Sequence, residues 1–242
     1  MRPAPLFALR EGMRRKGVFL YRVRSTDFRV AIRHGTSDTL VLSEVFHKHI
    51  YAPHGELAGV LARVDRIVDL GANIGLFGAF AAVHWPEAEI LAFEPDPENA
   101  AVHRRTMAAN GLADRWRLIE AAAADHDGRV TFVAGRASRS HIADAGESGA
   151  TIEVPLVDAL PYIAHADLLK MDIEGGEWAI IGSDRFREAP PKALVLEYHP
   201  HLCPGSDARA HAESVLKAAG LRVQSSWHGT EEGHGMLWAW RS

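Results

Sequence analysis

The sequence predicts an α/β fold with a doubly wound, mostly parallel sheet. Three observations carry this. From Arg66 onward, strand-like and helix-like segments alternate. The strand-like segments are near-continuous apolar runs, as a sheet covered on both faces requires. The last two, residues 221–227 and 235–240, have only about seven residues between them; no crossover helix fits there, so they are expected to run antiparallel. The length of 242 residues accommodates one such domain with an extension. We read residues 1–60 as an N-terminal arm, hairpin and lid helix, and residues 61–242 as the main domain.

Composition narrows the class. Hydrophobic residues make up 47% and charged residues 24%, which excludes wholesale disorder and coiled coil. No stretch approaches the roughly 18 apolar residues of a membrane span. The single cysteine, Cys203, excludes an internal disulfide and a cysteine-rich zinc site. A net charge of -4 gives no general electrostatic case for nucleic acid, and the short basic run at residues 14–16 reads as a solvated arm rather than a membrane surface. The first seventeen residues contain too short an apolar stretch for a signal peptide, so a cytoplasmic, unprocessed protein is expected. A homo-oligomer is left open.

The elements follow in order. Residues 1–17 read as a loosely held arm or a short helix. Residues 18–33 alternate around Ser25, Thr26 and Asp27, which predicts a β-hairpin. Residues 38–50 have helical spacing of Leu40, Val41, Val45 and Ile50, with Asp38 as the N-terminal acid. RIVDL (66–70) is a buried strand, followed by a glycine-rich turn and a helix that Pro86 stops. EILAFE (89–94) is the second strand. Asp96 caps the next helix, Pro97 suits its first position and Asn110-Gly111 its end. WRLIEAA (116–122) reads as the third strand, and RVTFV and TIEVP as short β pieces around a loop. DLLKMD (167–172) and ALVLEYH (193–199) are strands, and residues 177–182 and 207–219 helices.

The strongest motif is VDLGANIGLFG (68–78): an acid near a strand end, a glycine turn, then a helix. Gly71 and Gly75 permit a sharp turn and a close approach of ligand to main chain, with Ala72 between. The dinucleotide fingerprint needs glycine where Asn73 stands, and Asp69 would repel a pyrophosphate. Asp69 instead suits a ligand with a cationic end. Glu94, ending the second strand, can accept from both hydroxyls of a ribose, with Pro95 and Asp96 beside an adenine edge. The plainer alternative makes Asp69 a turn cap and Glu94 a solvated strand end.

On VDLGANIG (68–75), AFEPDPEN (92–99), LLKMDIEGGEW (168–178) and LEYH (196–199), the chain resembles the FkbM family of class I S-adenosylmethionine-dependent methyltransferases. GTSDTLVLSEVFHKHIY (35–51) resembles that family's entry region, and the resemblance covers about residues 30–240. It implies a Rossmann-like sheet with a C-terminal antiparallel hairpin, S-adenosyl-L-methionine as cofactor, and O-methylation of a small-molecule hydroxyl, commonly of a sugar or natural product. Residues 134–150 depart from the family pattern. Ala123, among the small residues 122–124, is expected where an adenine passes.

Asp172 and Glu174 end one strand, and Glu197 and His199 repeat that spacing at the end of the next. If the chain stays extended, each pair faces one way, toward the cleft at the carboxyl ends of the strands. These four are the candidate catalytic residues, with His199 the natural base by its ordinary pKa and Asp172 also facing the cofactor. Tyr51, Glu44, His141 and Trp178 are the candidate acceptor contacts. No compact spacing demands a metal, so none is expected, although these four residues are hard or borderline ligands. A nicotinamide-dependent oxidoreductase is the rival enzyme reading, opposed by Asn73 and the terminal hairpin; a non-catalytic adenosyl-binding protein is the third.

Overall fold

The computed structural model describes all residues except 15, 25, 136–140, 143–150, 229–232 and 242, and only the backbone of 141–142 and 227–228. The chain opens with helix α1 (Ala4–Gly12) and the antiparallel hairpin β1 (Val18–Arg22) and β2 (Arg29–Arg33). The arm is a docked helix. Phe7 of α1 sets its ring edge-on, 5.0 Å from both Tyr21 and His34. Glu11 lies 2.8 Å from His34 Nδ1, and the Tyr21 hydroxyl 2.7 Å from His34 Nε2.

Helices α2 (Asp38–Phe46) and α3 (Glu56–Val60) follow. Asp38 opens α2, but its main partner is Arg33. Its buried carboxylate accepts from the Arg33 backbone N–H, Nε and Nη2, each at 2.9 Å.

A βαβαβ half comes next: β3 (Arg66–Leu70), α4 (Leu76–His84), β4 (Glu89–Phe93), α5 (Pro97–Asn110) and β5 (Trp116–Ile119). The punctuation of α5 is as the sequence predicts. Asp96 is its N-cap, accepting from Glu98 N at 2.8 Å, and Gly111 ends it in the left-handed region. Asn110 also reaches the hairpin, exchanging hydrogen bonds with the Arg29 main chain at 2.8 Å. Together with the Ala31 N–H donating to Thr106 Oγ1 at 3.0 Å, these bonds tie the N-terminal hairpin to α5.

The expected third strand, 116–122, is divided. It leaves the main sheet after Ile119, and β6 (Ala122–Ala124) joins a second sheet with β7 (Gly128–Val133), β8 (His141–Ile142) and β9 (Thr151–Asp158), in the order β6-β9-β7-β8. β6 runs parallel to β9, pairing Ala122 with Leu156. The short β pieces of the sequence are thus one layer.

The chain then returns through α6 (Leu160–Ile163), β10 (Leu168–Met171), α7 (Glu177–Ile181), α8 (Asp184–Glu188), β11 (Ala193–Tyr198), α9 (Ala208–Ala218), β12 (Arg222–His228) and β13 (Gly235–Trp240). The main sheet has the order β12-β13-β11-β10-β3-β4-β5. Strands β5, β4, β3, β10 and β11 are parallel, and β13 is antiparallel to both β11 and β12. Every residue of β10 and β13 is buried, consistent with cover on both faces. The order reverses at β3, flanked by β4 and β10. A crevice opens at such a switch point, beyond the carboxyl ends of the strands. Among the described residues no helix is long and apolar enough to cross a membrane.

Candidate active site

The crevice is a solvent-open cleft of about 920 Å³. One wall is the turn after β3. Gly71 and Ala72 N–H both donate to Phe93 O of β4, at 3.1 and 2.9 Å, and Asn73 N–H donates to Glu94 Oε2 at 2.7 Å. Asn73 takes φ +50°, a left-handed conformation that asparagine tolerates, and its Oδ1 accepts from Ile74 N–H at 2.8 Å. That accounts for a residue other than glycine here. Glycine is required at 71 and 75 for a reason different from ligand approach. A Cβ on Gly71 would lie 1.8 Å from the Asp172 carbonyl oxygen, and one on Gly75 would lie 2.6 Å from the His103 ring. The chain itself fills both spaces.

Glu94 faces the cleft and is itself part of the wall. Its Oε1 accepts from Asp96 N–H at 2.9 Å and Asn99 Nδ2 at 3.3 Å. Burial pushes its pKa up to about 7 against the pull of these hydrogen bonds. Beside it the cleft floor is apolar, formed by Phe93, Ala122, Ala123 and Phe132, with Pro95 at the rim.

Asp69 does not line the cleft. It is fully buried, and the cation it faces is internal: Lys170 Nζ of β10, 3.5 Å from Oδ1. Burial raises the Asp69 pKa to about 6, with Lys170 opposing. Lys170 Nζ donates to Gly71 O at 2.7 Å and Leu70 O at 3.3 Å, and lies 3.5 Å from Asp172 Oδ2. Burial disfavours its charge, but Asp172 and Asp69 outweigh that and raise its pKa. One buried cation therefore joins the glycine turn to the opposite wall.

That wall is the end of β10 and β11. The chain does not stay extended after Asp172, for Glu174 sits at φ +53°. The two carboxylates nevertheless converge on one ring. His199 Nε2 lies 3.9 Å from Asp172 Oδ1 and 3.7 Å from Glu174 Oε2. Its other edge is held by the buried Glu177, whose Oε1 accepts from the His199 N–H at 2.8 Å and lies 3.1 Å from Nδ1. Glu177 Oε2 accepts from Gly175 N–H at 2.8 Å. Burial works against charge on His199, but Glu177, Asp172 and Glu174 together raise its pKa to about 9. The surrounding carboxylates thus favour the charged form of the ring. Glu197, which faces the same charges, is pushed up to about 8 by burial and Asp172.

Residues 69–223 match the methyltransferase FkbM domain. The chain belongs to the FkbM methyltransferase family. It is 40% identical over 219 residues to methyltransferase sdnD of Sordaria araneosa, with 75% of this chain and 83% of the relative covered. It is 26% identical over 168 residues to the 2-O-methyltransferase NoeI of Sinorhizobium fredii (60% and 68% covered) and 27% over 193 residues to the 31-O-demethyl-FK506 methyltransferase FkbM of Streptomyces tacrolimicus (64% and 72%). In fold it resembles the crystal structure of methyltransferase FkbM from Methylobacillus flagellatus KT, with a TM-score of 0.51 at 16% identity. That match covers 73% of this chain and only 43% of the other. The sheet is the class I methyltransferase arrangement.

In this FkbM-family site the remaining candidates divide. Tyr51 reaches the cleft, packed edge-on against Phe77 at 5.0 Å. Burial, then the charges of Asp172 and Glu197, raise its phenol well above the ordinary value. Three others are turned elsewhere. Glu44 of α2 pairs with Lys48, just past the helix end, at 3.5 Å. Asp96 spends its oxygens on the α5 cap and on Gly135 N–H, at 2.8 Å each. The Trp178 indole donates to His199 O at 3.1 Å and His201 O at 3.0 Å, bracing the loop after β11. The His141 side chain lies outside the described residues.

Sequence reasoning gave no role to Lys170 and read Glu177 only as the start of a helix. A lysine inside an apolar strand was the available signal for the first, since a buried ammonium needs partners.

Proposed function

We propose that this FkbM-family chain is an S-adenosyl-L-methionine-dependent O-methyltransferase, acting on a hydroxyl of a small molecule such as a sugar or glycosylated natural product. One observation carries the reading. A single cleft joins an apolar floor edged by the Glu94 carboxylate to a carboxylate pair, Asp172 and Glu174, across the β3–β10 switch point. The names of NoeI and the FK506 methyltransferase, both O-methylating relatives, support the acceptor class.

The donor set fits the cofactor. Phe93, Ala122, Ala123 and Phe132 offer a flat apolar surface for adenine, and Glu94 offers a hydrogen-bond acceptor to ribose hydroxyls. Bound S-adenosyl-L-methionine supplies an activated methyl group on a sulfonium. The chain's own task is placement. Orienting two reactants is worth up to about 7–11 kcal/mol in favourable cases. Asp172 and Glu174, which face His199 at 3.9 and 3.7 Å, accept the acceptor hydroxyl's hydrogen bond. Tyr51, with Val41 and Val45 of α2, gives the cleft an apolar side.

Titration calorimetry with S-adenosyl-L-methionine tests the reading, with NAD in parallel. Micromolar binding, weakened at least tenfold in Glu94→Gln, is expected. Absence of heat from the folded chain, or preference for NAD, would sink it.

A further inference from the structure

We propose that Asp172, Glu174 and His199 form a binding site for a divalent first-row metal ion at the acceptor end of the cleft. One ligand atom from each lies within 4.8 Å of the others, a grouping the fold creates from two strand ends. A cation about 2.1 Å from each ligand sets tetrahedral neighbours roughly 3.4 Å apart. The observed 3.9 and 3.7 Å separations from His199 Nε2 need contract by a few tenths of an ångström for a tetrahedral ion, and by under about 1 Å for an octahedral one, whose adjacent ligands stand roughly 3.0 Å apart.

The arrangement behind the three residues argues for a ligand rather than a chance cluster of charge. A metal-binding histidine characteristically gives its second ring nitrogen to a carboxylate, which fixes the ring and aims the ligating nitrogen. Glu177 stands in that position. It is fully buried, it holds both the main chain and Nδ1 of His199, and its other oxygen holds Gly175 N–H in the Glu174 loop. Trp178 braces the same histidine from its carbonyl side. On Asp172, Lys170 occupies the Oδ2 side, and Oδ1 is the oxygen nearer His199. His199 and Asp172 are thus oriented from behind, and Nε2, Oδ1 and Glu174 Oε2 converge. Asp172 and Glu174 also line the cleft, so a bound ion is accessible to solvent and to an acceptor.

Two carboxylate oxygens and one imidazole, with no sulfur, suit Mn²⁺, Fe²⁺ or Zn²⁺ better than a soft ion, and a nitrogen ligand disfavours Mg²⁺. The cation takes the place of the Nε2 proton. The existence of the site is independent of methyl transfer. Its use, as a Lewis acid that eases ionisation of the acceptor hydroxyl, rests on the reading above.

The test is Mn²⁺ titration of the metal-free full chain, followed by the loss of the free-ion electron paramagnetic resonance signal. One equivalent is expected to bind, at least tenfold tighter than Mg²⁺ competes. Asp172→Asn and His199→Ala should each weaken binding at least tenfold. Glu177→Gln, which keeps all three ligands, should weaken it about 10–100-fold. Spin-echo modulation from one nitrogen in the wild-type complex keeps the idea testable even if a variant fails to fold. No binding at millimolar Mn²⁺, all-oxygen ligation, or indifference to Asp172→Asn and His199→Ala would overturn it. Calorimetry with S-adenosyl-L-methionine on the same sample separates the two claims: cofactor binding without metal binding refutes only this site, and the converse refutes only the cofactor.

Discussion

The two walls of the cleft are built by different means. The β3–β4 wall is knitted by main-chain donors at 2.7–3.1 Å: Gly71 and Ala72 to Phe93 O, and Asn73 to Glu94. The β10–β11 wall meets the cleft through ion pairs at 3.5–3.9 Å, with the short hydrogen bonds set one layer back on Glu177. Main-chain geometry fixes the first wall, so it is already in its working shape. In the second, charges of both signs are held near one another without closing, which leaves room for a ligand between them. A comparison of substitutions on the two walls tests this difference.

The largest effect is expected at Gly71. Its neighbour is a carbonyl oxygen of the opposite wall, which has no freedom to swing aside, and its φ is +74°. Gly71→Ala should cost more than about 5 kcal/mol and leave little folded protein. Gly111, also left-handed at φ +64° but with open space around it, is the control. Gly111→Ala should cost about 1 kcal/mol. Equal losses of thermal stability in the two variants would show that conformation, not the contact between walls, is what matters at the turn.

Lys170→Met comes next. It strands Asp69, fully buried, with the cation it faces gone, and releases the carbonyls of Leu70 and Gly71. A loss of about 3–5 kcal/mol is expected in urea unfolding, since one partner of a buried pair remains. Adding Asp69→Asn should recover most of it. If the double variant is no better than Lys170→Met, the carbonyl bonds and not the charge pair dominate.

These residues also mark how far the sequence is legible. The α5 boundaries were readable because Asp96, Pro97 and Gly111 act on their immediate neighbours. The departure of β6 from the main sheet was not, because an alanine run has no side-chain pattern, and its partner β9 lies some thirty residues on. Asp172 and Glu174 do converge on His199, but not through the extended strand that their spacing suggests, since Glu174 is left-handed. The ionic partner of Asp69 and the grip of Glu177 on His199 are long-range contacts that spacing does not encode.

The proton balance distinguishes the first wall further. Glu94 has a folded pKa of about 7 against 4.5 ordinarily, so its contribution is complete below pH 4.5 and is lost as pH rises through 7, by about 3 kcal/mol. His103, against the same turn, runs the other way. Burial lowers its pKa from 6.5 to about 3, so its contribution is complete above pH 6.5 and is lost as pH falls toward 3. Between pH 4.5 and 6.5 the two trends oppose each other and flatten the wild-type profile. Glu94→Gln should remove one of them. Its stability relative to wild type should rise by about 3 kcal/mol between pH 4.5 and 7.5, measured by urea unfolding at each pH. A flat difference would mean that Glu94 titrates as an exposed carboxylate does, and that the first wall is less dry than its burial implies.

The smallest effect concerns the layer behind the second wall. Trp178→Phe keeps most of the buried ring and its edge-on packing against His211, and removes only the indole N–H that two carbonyls share. The loss should be about 1–2 kcal/mol, the cost of under-satisfied acceptors in a partly buried loop. Its diagnostic value lies in what accompanies that loss. If the second wall is positioned by its supporting layer, a free His199 carbonyl lets the histidine drift, and Mn²⁺ affinity should fall several-fold while S-adenosyl-L-methionine affinity stays within twofold. If both affinities fall together, the two walls move as one body through Lys170, and the contrast between them is one of bond type only.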